Sequence, residues 1–167
     1  MSNKSPKSER KRLVDKLDKI TSEIIKIRDE NTCQRCGSKP RPKGCHWAHI
    51  FSRSKHFIRW DFLNSIVLCN GCHRFWHANP LSSQIWFEAK FPHRYNYLQI
   101  EIQKPVRQIP TSELQDLYES HKQKLKELQA EVLWLTLRRG SVTLCRQRRC
   151  LHAALWLALR RGSVTIK

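Results

Sequence analysis

Apolar residues Leu13, Leu17, Ile20, Ile24 and Ile27 recur at intervals of three and four between Glu9 and about Asp29. That spacing stripes one side of a helix, so it predicts an amphipathic helix whose opposite side is mainly basic. Residues 1–8 hold Ser, Asn, Pro and Lys and predict a disordered basic tail. Residues 31–45 are punctuated by Gly37, Pro40, Pro42 and Gly44 and predict a loop. A short apolar stretch, His46 to Phe51, predicts a first strand, and a polar basic loop follows from Ser52 to Leu63. Asn64 then opens a second strand, the β-branched run Ser65-Ile66-Val67-Leu68.

A helix is predicted over Cys72 to Ala78, stopped by Asn79-Pro80, and another from Ser82 or Ser83 to Phe91. Residues 92–110, with three prolines and the stretch Tyr95-Asn96-Tyr97, predict a linker. Residues 111–139 predict a long helix, with Thr111 or Ser112 as its cap and Glu113 and Asp116 near the first turn. Arg138-Arg139-Gly140 close it.

The last third holds a repeat. Leu133-Trp134-Leu135-Thr136-Leu137-Arg138-Arg139-Gly140-Ser141-Val142-Thr143 returns 22 positions later from Leu155 to Thr165 with one change, Ala158 for Thr136. Two copies are too few for a solenoid. Near-identity reads first as an adventitious extension of coding sequence, and second as an accessory helix that contacts DNA or a membrane.

Charge narrows the class of partner. Lys and Arg number 32 against 14 Asp and Glu, a formal net charge of +18 over 167 residues. Such a balance favours a polyanion, above all nucleic acid. An apolar fraction of 40% with six Trp argues against a wholly disordered chain. No apolar run approaches the roughly 18–20 residues of a membrane span. The polar N-terminus lacks a secretory core, which predicts an intracellular protein.

Seven cysteines, odd in number, make a poor disulfide framework for an intracellular chain. Cys33-Gln-Arg-Cys36 and Cys69-Asn-Gly-Cys72 instead form two CxxC knuckles enclosing 32 residues. Two such knuckles can close a tetrahedral four-thiolate site, and soft sulfur donors select zinc. The alternative is four reduced cysteines packed as small hydrophobes. Cys45 has no partner by spacing.

The enclosed segment and its sequel carry further chemistry. Five of the eight histidines lie between positions 46 and 77. His73 and His77 are four apart on a predicted helix and can point two imidazoles at one metal. The order is a His on the first strand, an Asn opening the second, then His on the helix. With the interlocked knuckles, it resembles the HNH, or ββα-metal, nuclease superfamily, with His49, Asn64 and His73 as its H, N and H. The wider run includes Ile27-Arg28-Asp29, Ala48-His49, Arg59-Trp60-Asp61 and Cys72-His73-Arg74-Phe75-Trp76-His77-Ala78-Asn79. It resembles the phage lambda NinG (Rap) group of recombination nucleases over residues 13–128, most densely between 33 and 79.

That resemblance implies a metal-dependent DNA endonuclease acting on branched recombination or replication intermediates of a phage or prophage, in the cytoplasm of a bacterial host. It implies His49 as general base, and Asn64 as the fastener of the loop between the strands. A catalytic divalent metal (Mg2+, Mn2+ or Zn2+) would sit on the helix near His73, while structural zinc on Cys33, Cys36, Cys69 and Cys72 does no chemistry. Many members of the superfamily place Asp or His immediately before the base; here Ala48 stands there, so His77 is the preferred second ligand and His46 the runner-up. Arg53, Lys55 and Arg59, in the loop between the strands, are the candidate DNA contacts, since half or more of protein–DNA hydrogen bonds go to phosphate and sugar.

The expected fold is α+β and mainly helical: a small zinc-stapled ββα-metal finger flanked by an N-terminal helix and a long C-terminal helix. The expected divisions are a tail (1–8), a nuclease domain with its N-terminal helix (9–91), a linker (92–110), a long helix (111–139) and a basic repeat tail (140–167). Two other functions compete. A non-catalytic zinc-finger DNA-binding protein needs only the cysteines and the charge. A membrane-surface protein would use the Trp-Leu tail and leave the knuckles idle.

Overall fold

The computed structural model describes residues 8–140. Residues 1–7 of the expected tail at 1–8 and the second repeat lie outside the described residues, while Ser8 belongs to the cap of the first helix. The fold is α+β and mainly helical, with five α-helices and one two-stranded antiparallel sheet among those residues. In order these are α1 (Glu9–Arg28), β1 (Cys45–His49), β2 (Ser65–Cys69), α2 (Asn70–Ala78), α3 (Pro80–Lys90), α4 (Pro92–Ile102) and α5 (Thr111–Gly140). No helix among the described residues is long and apolar enough to cross a membrane.

The periodic stripe of α1 is buried where the spacing predicts, at Leu13, Leu17, Ile20 and Ile24, and Thr21 and Ile25 widen it. Ser8 caps the helix by accepting the Lys11 N–H. The sheet pairs Cys45 with Cys69 and His49 with Ser65. Because strand side chains alternate, its two faces build two cores. Cys45, Trp47 and Val67 pack with Leu13, Leu17 and Ile25 of α1 and Leu114 of α5. Ala48, Ile66 and Leu68 pack with Trp76 of α2, Phe87 of α3 and Leu98 of α4. Each fully buried large aliphatic side chain in these cores contributes about 1.5–3 kcal/mol.

Residues 92–110 are not a linker throughout. Pro92 is the first residue of α4, where its fixed φ suits a helix and its missing N–H is no loss. Leu98 then anchors α4 in the core. Likewise α3 starts at Pro80 rather than at Ser82 or Ser83, and α2 starts at Asn70, with Cys69 as its N-cap. Proline read as a stop was in both places a start.

The chain forms two compact units, one ending at Leu128 and one running from Gln129. Residues 92–128 therefore belong with the preceding segment. In the second unit, the described part is the last stretch of α5, where Val132, Leu133 and Trp134 are exposed and the Arg138 guanidinium lies over the Trp134 ring.

Candidate functional site

Two knuckles meet at the start of α2. In the first, Gly37 adopts φ +74°, a conformation that glycine takes without steric cost, and its N–H donates to the Cys33 carbonyl. The Gln34 N–H donates to Val67 O, which ties this knuckle to β2. In the second, the Cys72 N–H donates to Cys69 Sγ at the N-terminus of α2. The four sulfurs of Cys33, Cys36, Cys69 and Cys72 lie within 4.8 Å of one another, with Cys36 and Cys69 at 3.8 Å. A tetrahedral zinc with Zn–S bonds of about 2.3 Å needs sulfurs roughly 3.8 Å apart, so the donor set fits that ion. Hydrogen bonds from Ser38 lower Cys36 to about 6, while burial pushes Cys72 up to about 12. Cys45 stays apart, buried against α1, with its thiol directed at the Asn31 carbonyl.

His49 ends β1 with its ring against Trp47, centroids 4.2 Å apart. Its Nε2 lies 3.0 Å from the Arg59 carbonyl oxygen. A carbonyl only accepts, so Nε2 carries the proton and Nδ1 the lone pair. Arg53 agrees with that tautomer by donating its Nε–H to Nδ1 at 3.4 Å. Burial, then the Arg53 charge, lowers the His49 pKa to about 4, so this imidazole is neutral at pH 7.

Asn64 is fully buried at the foot of the loop between the strands. Its Oδ1 accepts the Phe51 N–H at 2.8 Å, and its amide donates to the carbonyls of Phe51 and Ile58 at 3.2 and 3.0 Å. Arginines clamp the same segment from outside. Arg28 donates to the carbonyls of Phe62 and Ser65 while Asp29, paired with it, accepts the Val67 N–H. Arg94 donates to the carbonyls of Leu63 and Ser65. Burial, with Arg28 alongside, lowers Arg94 to about 9.

On α2, His73 and His77 bring their Nε2 atoms to 3.2 Å. Two metal–nitrogen bonds of about 2.1 Å to such a pair would enclose roughly 100°, which suits a divalent cation. His46 does not join them edge-on; its ring stacks on the face of His73. Ala48 is buried in the apolar core and offers no ligand. Burial, then His77 and His46, lowers the His73 pKa. The Arg53 charge is also the least of the causes that lower His73.

The three candidate DNA contacts divide. Arg53 is exposed and Lys55 half-buried. Arg59 is taken up inside the protein, donating to both carboxylate oxygens of Asp18 at 3.0 and 2.5 Å. Asp18, which nothing in the local sequence marks, also accepts the Trp60 indole N–H at 2.8 Å. His121 of α5, equally unmarked, is buried with Nε2 at 3.1 Å from the Trp60 carbonyl.

No known family, curated protein or solved structure matches the chain.

Proposed function

We propose that this protein is a DNA endonuclease of the HNH, or ββα-metal, class that hydrolyses phosphodiester bonds with a divalent metal, acting on branched recombination or replication intermediates of phage type. The observation that carries the reading is the hydrogen bonding of His49: Nε2 faces the Arg59 carbonyl, which assigns the proton to Nε2, and Nδ1 accepts from the exposed Arg53. A core histidine does not need its lone pair on an exposed, movable partner. A general base does.

The residue order favours the same class, with a strand histidine, a buried asparagine that ties both ends of the intervening loop, and a histidine pair on the following helix. Cys33, Cys36, Cys69 and Cys72 would hold a structural zinc, which staples the halves together and takes no part in chemistry. His73 and His77 would hold the catalytic cation, which supplies positive charge to the phosphate and to the oxygen that leaves.

The chain's own residues perform the remainder. Nδ1 of His49 takes a proton from water; the water oxygen forms a bond to phosphorus as the bond to the leaving oxygen breaks. Arg53 offers a guanidinium to a phosphate oxygen. As it turns to the phosphate, its hold on Nδ1 is released, which lifts the second of the two main causes of the lowered His49 basicity and leaves burial as the first. Asn64 keeps the loop, and with it Arg53 and the Arg59 carbonyl, in place.

Purified protein incubated with plasmid and with branched DNA, with and without Mg2+ or Mn2+, tests the reading. Metal-dependent cutting by the wild type and none by His49→Ala is expected. DNA binding by the wild type without any cutting would replace it with the reading as a non-catalytic zinc-finger DNA-binding protein.

A further inference from the structure

We propose that Asp18 of α1 is a positioning residue for His49. The inference rests on reading His49 as the general base, and it names a residue that neither motif nor loop position marks. It follows from an unbroken set of contacts. The Asp18 carboxylate holds the Arg59 guanidinium through two hydrogen bonds and the Trp60 indole through a third. Both neighbours of the 59–60 peptide are thereby fixed to α1. His121 of α5 adds a hold on the Trp60 carbonyl. The Arg59 carbonyl is then the acceptor that keeps the proton of His49 on Nε2.

The arrangement serves a purpose that packing alone does not require. Residues 52–64 carry only short 3-10 turns at His56–Ile58 and Phe62–Asn64, and a loop carbonyl free to rotate would let His49 exchange tautomers. A base whose lone pair alternates between two nitrogens is correctly placed for only part of the time, and fixing the tautomer through a partner on the second nitrogen is the usual remedy. Asp18 achieves this without touching the imidazole, because its two arms pin the residues on either side of the carbonyl that does. Three charged groups bear on the ring: Arg53 and Arg59 from the loop, and Asp18 from α1. Asp18 is the one acid among them and opposes the two arginines.

The test uses the full-length, zinc-loaded protein with 15N-labelled histidine. Wild-type His49 at neutral pH is expected as a single Nε2–H tautomer. In Asp18→Asn the two ring nitrogens should report a mixture, and kcat on plasmid should fall about 10- to 100-fold, with KM little changed. Asp18→Glu, which restores a carboxylate with a longer stem, should recover part of both. A single Nε2–H tautomer retained in Asp18→Asn overturns the proposal, and so does a wild-type His49 that carries its proton on Nδ1. If Asp18→Asn loses zinc or fails to fold, Arg59→Lys carries the same test, since a single ammonium cannot replace the two-armed contact. An unchanged tautomer there also overturns it. A tautomer that depends on Asp18 in a protein that cuts no DNA leaves the positioning role standing and removes the nuclease reading instead.

Discussion

The imidazole of His46 lies flat on that of His73, ring centroids 5.0 Å apart and planes 7° from parallel. His77 meets the same ring edge-on, with centroids at 4.6 Å. His73 is thus held on its face from β1 and at its edge from α2, and its Nε2 is left beside that of His77. A ring held in this way has little freedom to rotate.

His46→Ala should therefore weaken binding of Mn2+ or Co2+ by the His73–His77 pair about 10-fold, within the range seen when a supporting contact of a metal ligand is removed. His46→Phe keeps a flat ring against His73 and should bind nearly as the wild type does. Calorimetric titration of protein whose thiolate site is already zinc-filled makes the comparison. Equal affinity in His46→Ala and wild type would show that the stack does not orient His73.

The thiolate site makes a separate prediction. Cys33→Ser or Cys72→Ser should abolish tight zinc binding and with it much of the cooperative thermal transition, because both residues are buried and a metal of this kind is coupled to folding. Cys45→Ser should keep one zinc per chain, since Cys45 faces the α1 core rather than the other four sulfurs. Metal analysis of the three variants separates the cases. Zinc retained by Cys72→Ser would contradict the tetrad.

The parts legible in the sequence are those whose signal is local. The stripe of α1 needs only a period, the tetrad only two spacings, and β2 only a β-branched run. What stayed hidden is polar and distant in sequence. Asp18 reaches Arg59 across 41 residues and His121 reaches Trp60 across 61, and neither side chain differs locally from a solvated surface group. Arg59 lies in a basic loop and so reads as a DNA contact, while the structure gives its guanidinium to one acid of α1. Pro92 was expected to break the chain, yet a proline in the first turn of a helix is sterically welcome, and only the burial of Leu98 distinguishes that case from a linker.

Asn64 should be among the most sensitive positions. Asn64→Ala leaves the Phe51 N–H and the Ile58 carbonyl without their partner, and each buried polar group stranded in this way costs about 1–3 kcal/mol. Asn64→Asp is expected to be worse, although it keeps the acceptor for Phe51, because it sets a carboxylate against two carbonyl oxygens. Urea unfolding of zinc-loaded protein measures both. An Asp variant more stable than the Ala variant would mean that the loop ends rearrange.

His49 makes stability depend on pH with a definite sign. Its pKa falls from 6.5 to about 4 on folding, so the unfolded chain binds the proton more readily. The stabilisation is complete above pH 6.5 and is lost as pH falls toward 4. His49→Gln should flatten that part of the profile, measured as the urea midpoint between pH 4 and 7 relative to wild type. Arg53→Gln should raise the His49 pKa and narrow the window, because the Arg53 charge is, after burial, the largest cause of the depression. An NMR titration in which Arg53→Gln left the His49 pKa unchanged would place the guanidinium elsewhere in solution.

The tail separates folding from surface behaviour. Leu128 is buried against Ile20 and Ile24 of α1, and the first compact unit ends at that residue. Four residues further on, Val132, Leu133 and Trp134 are exposed in sequence order. Cutting after Glu131 keeps Leu128 and removes the exposed apolar run. It also removes 8 of the 32 basic residues and none of the 14 acids, so the remainder is still +10 (24 minus 14). The truncated protein should stay folded and zinc-loaded, and should self-associate less, since contiguous exposed apolar groups promote association. Its DNA binding should depend less steeply on salt, because fewer counterions are released. Cutting after Glu119 instead deletes His121 and Leu128 together. That removes the hold on the Trp60 carbonyl and leaves part of the α1 face bare. This shorter protein should lose several kcal/mol, as large deletions from a core do. Equal thermal midpoints for the two truncations would show that α5 beyond Glu119 contributes nothing to the fold.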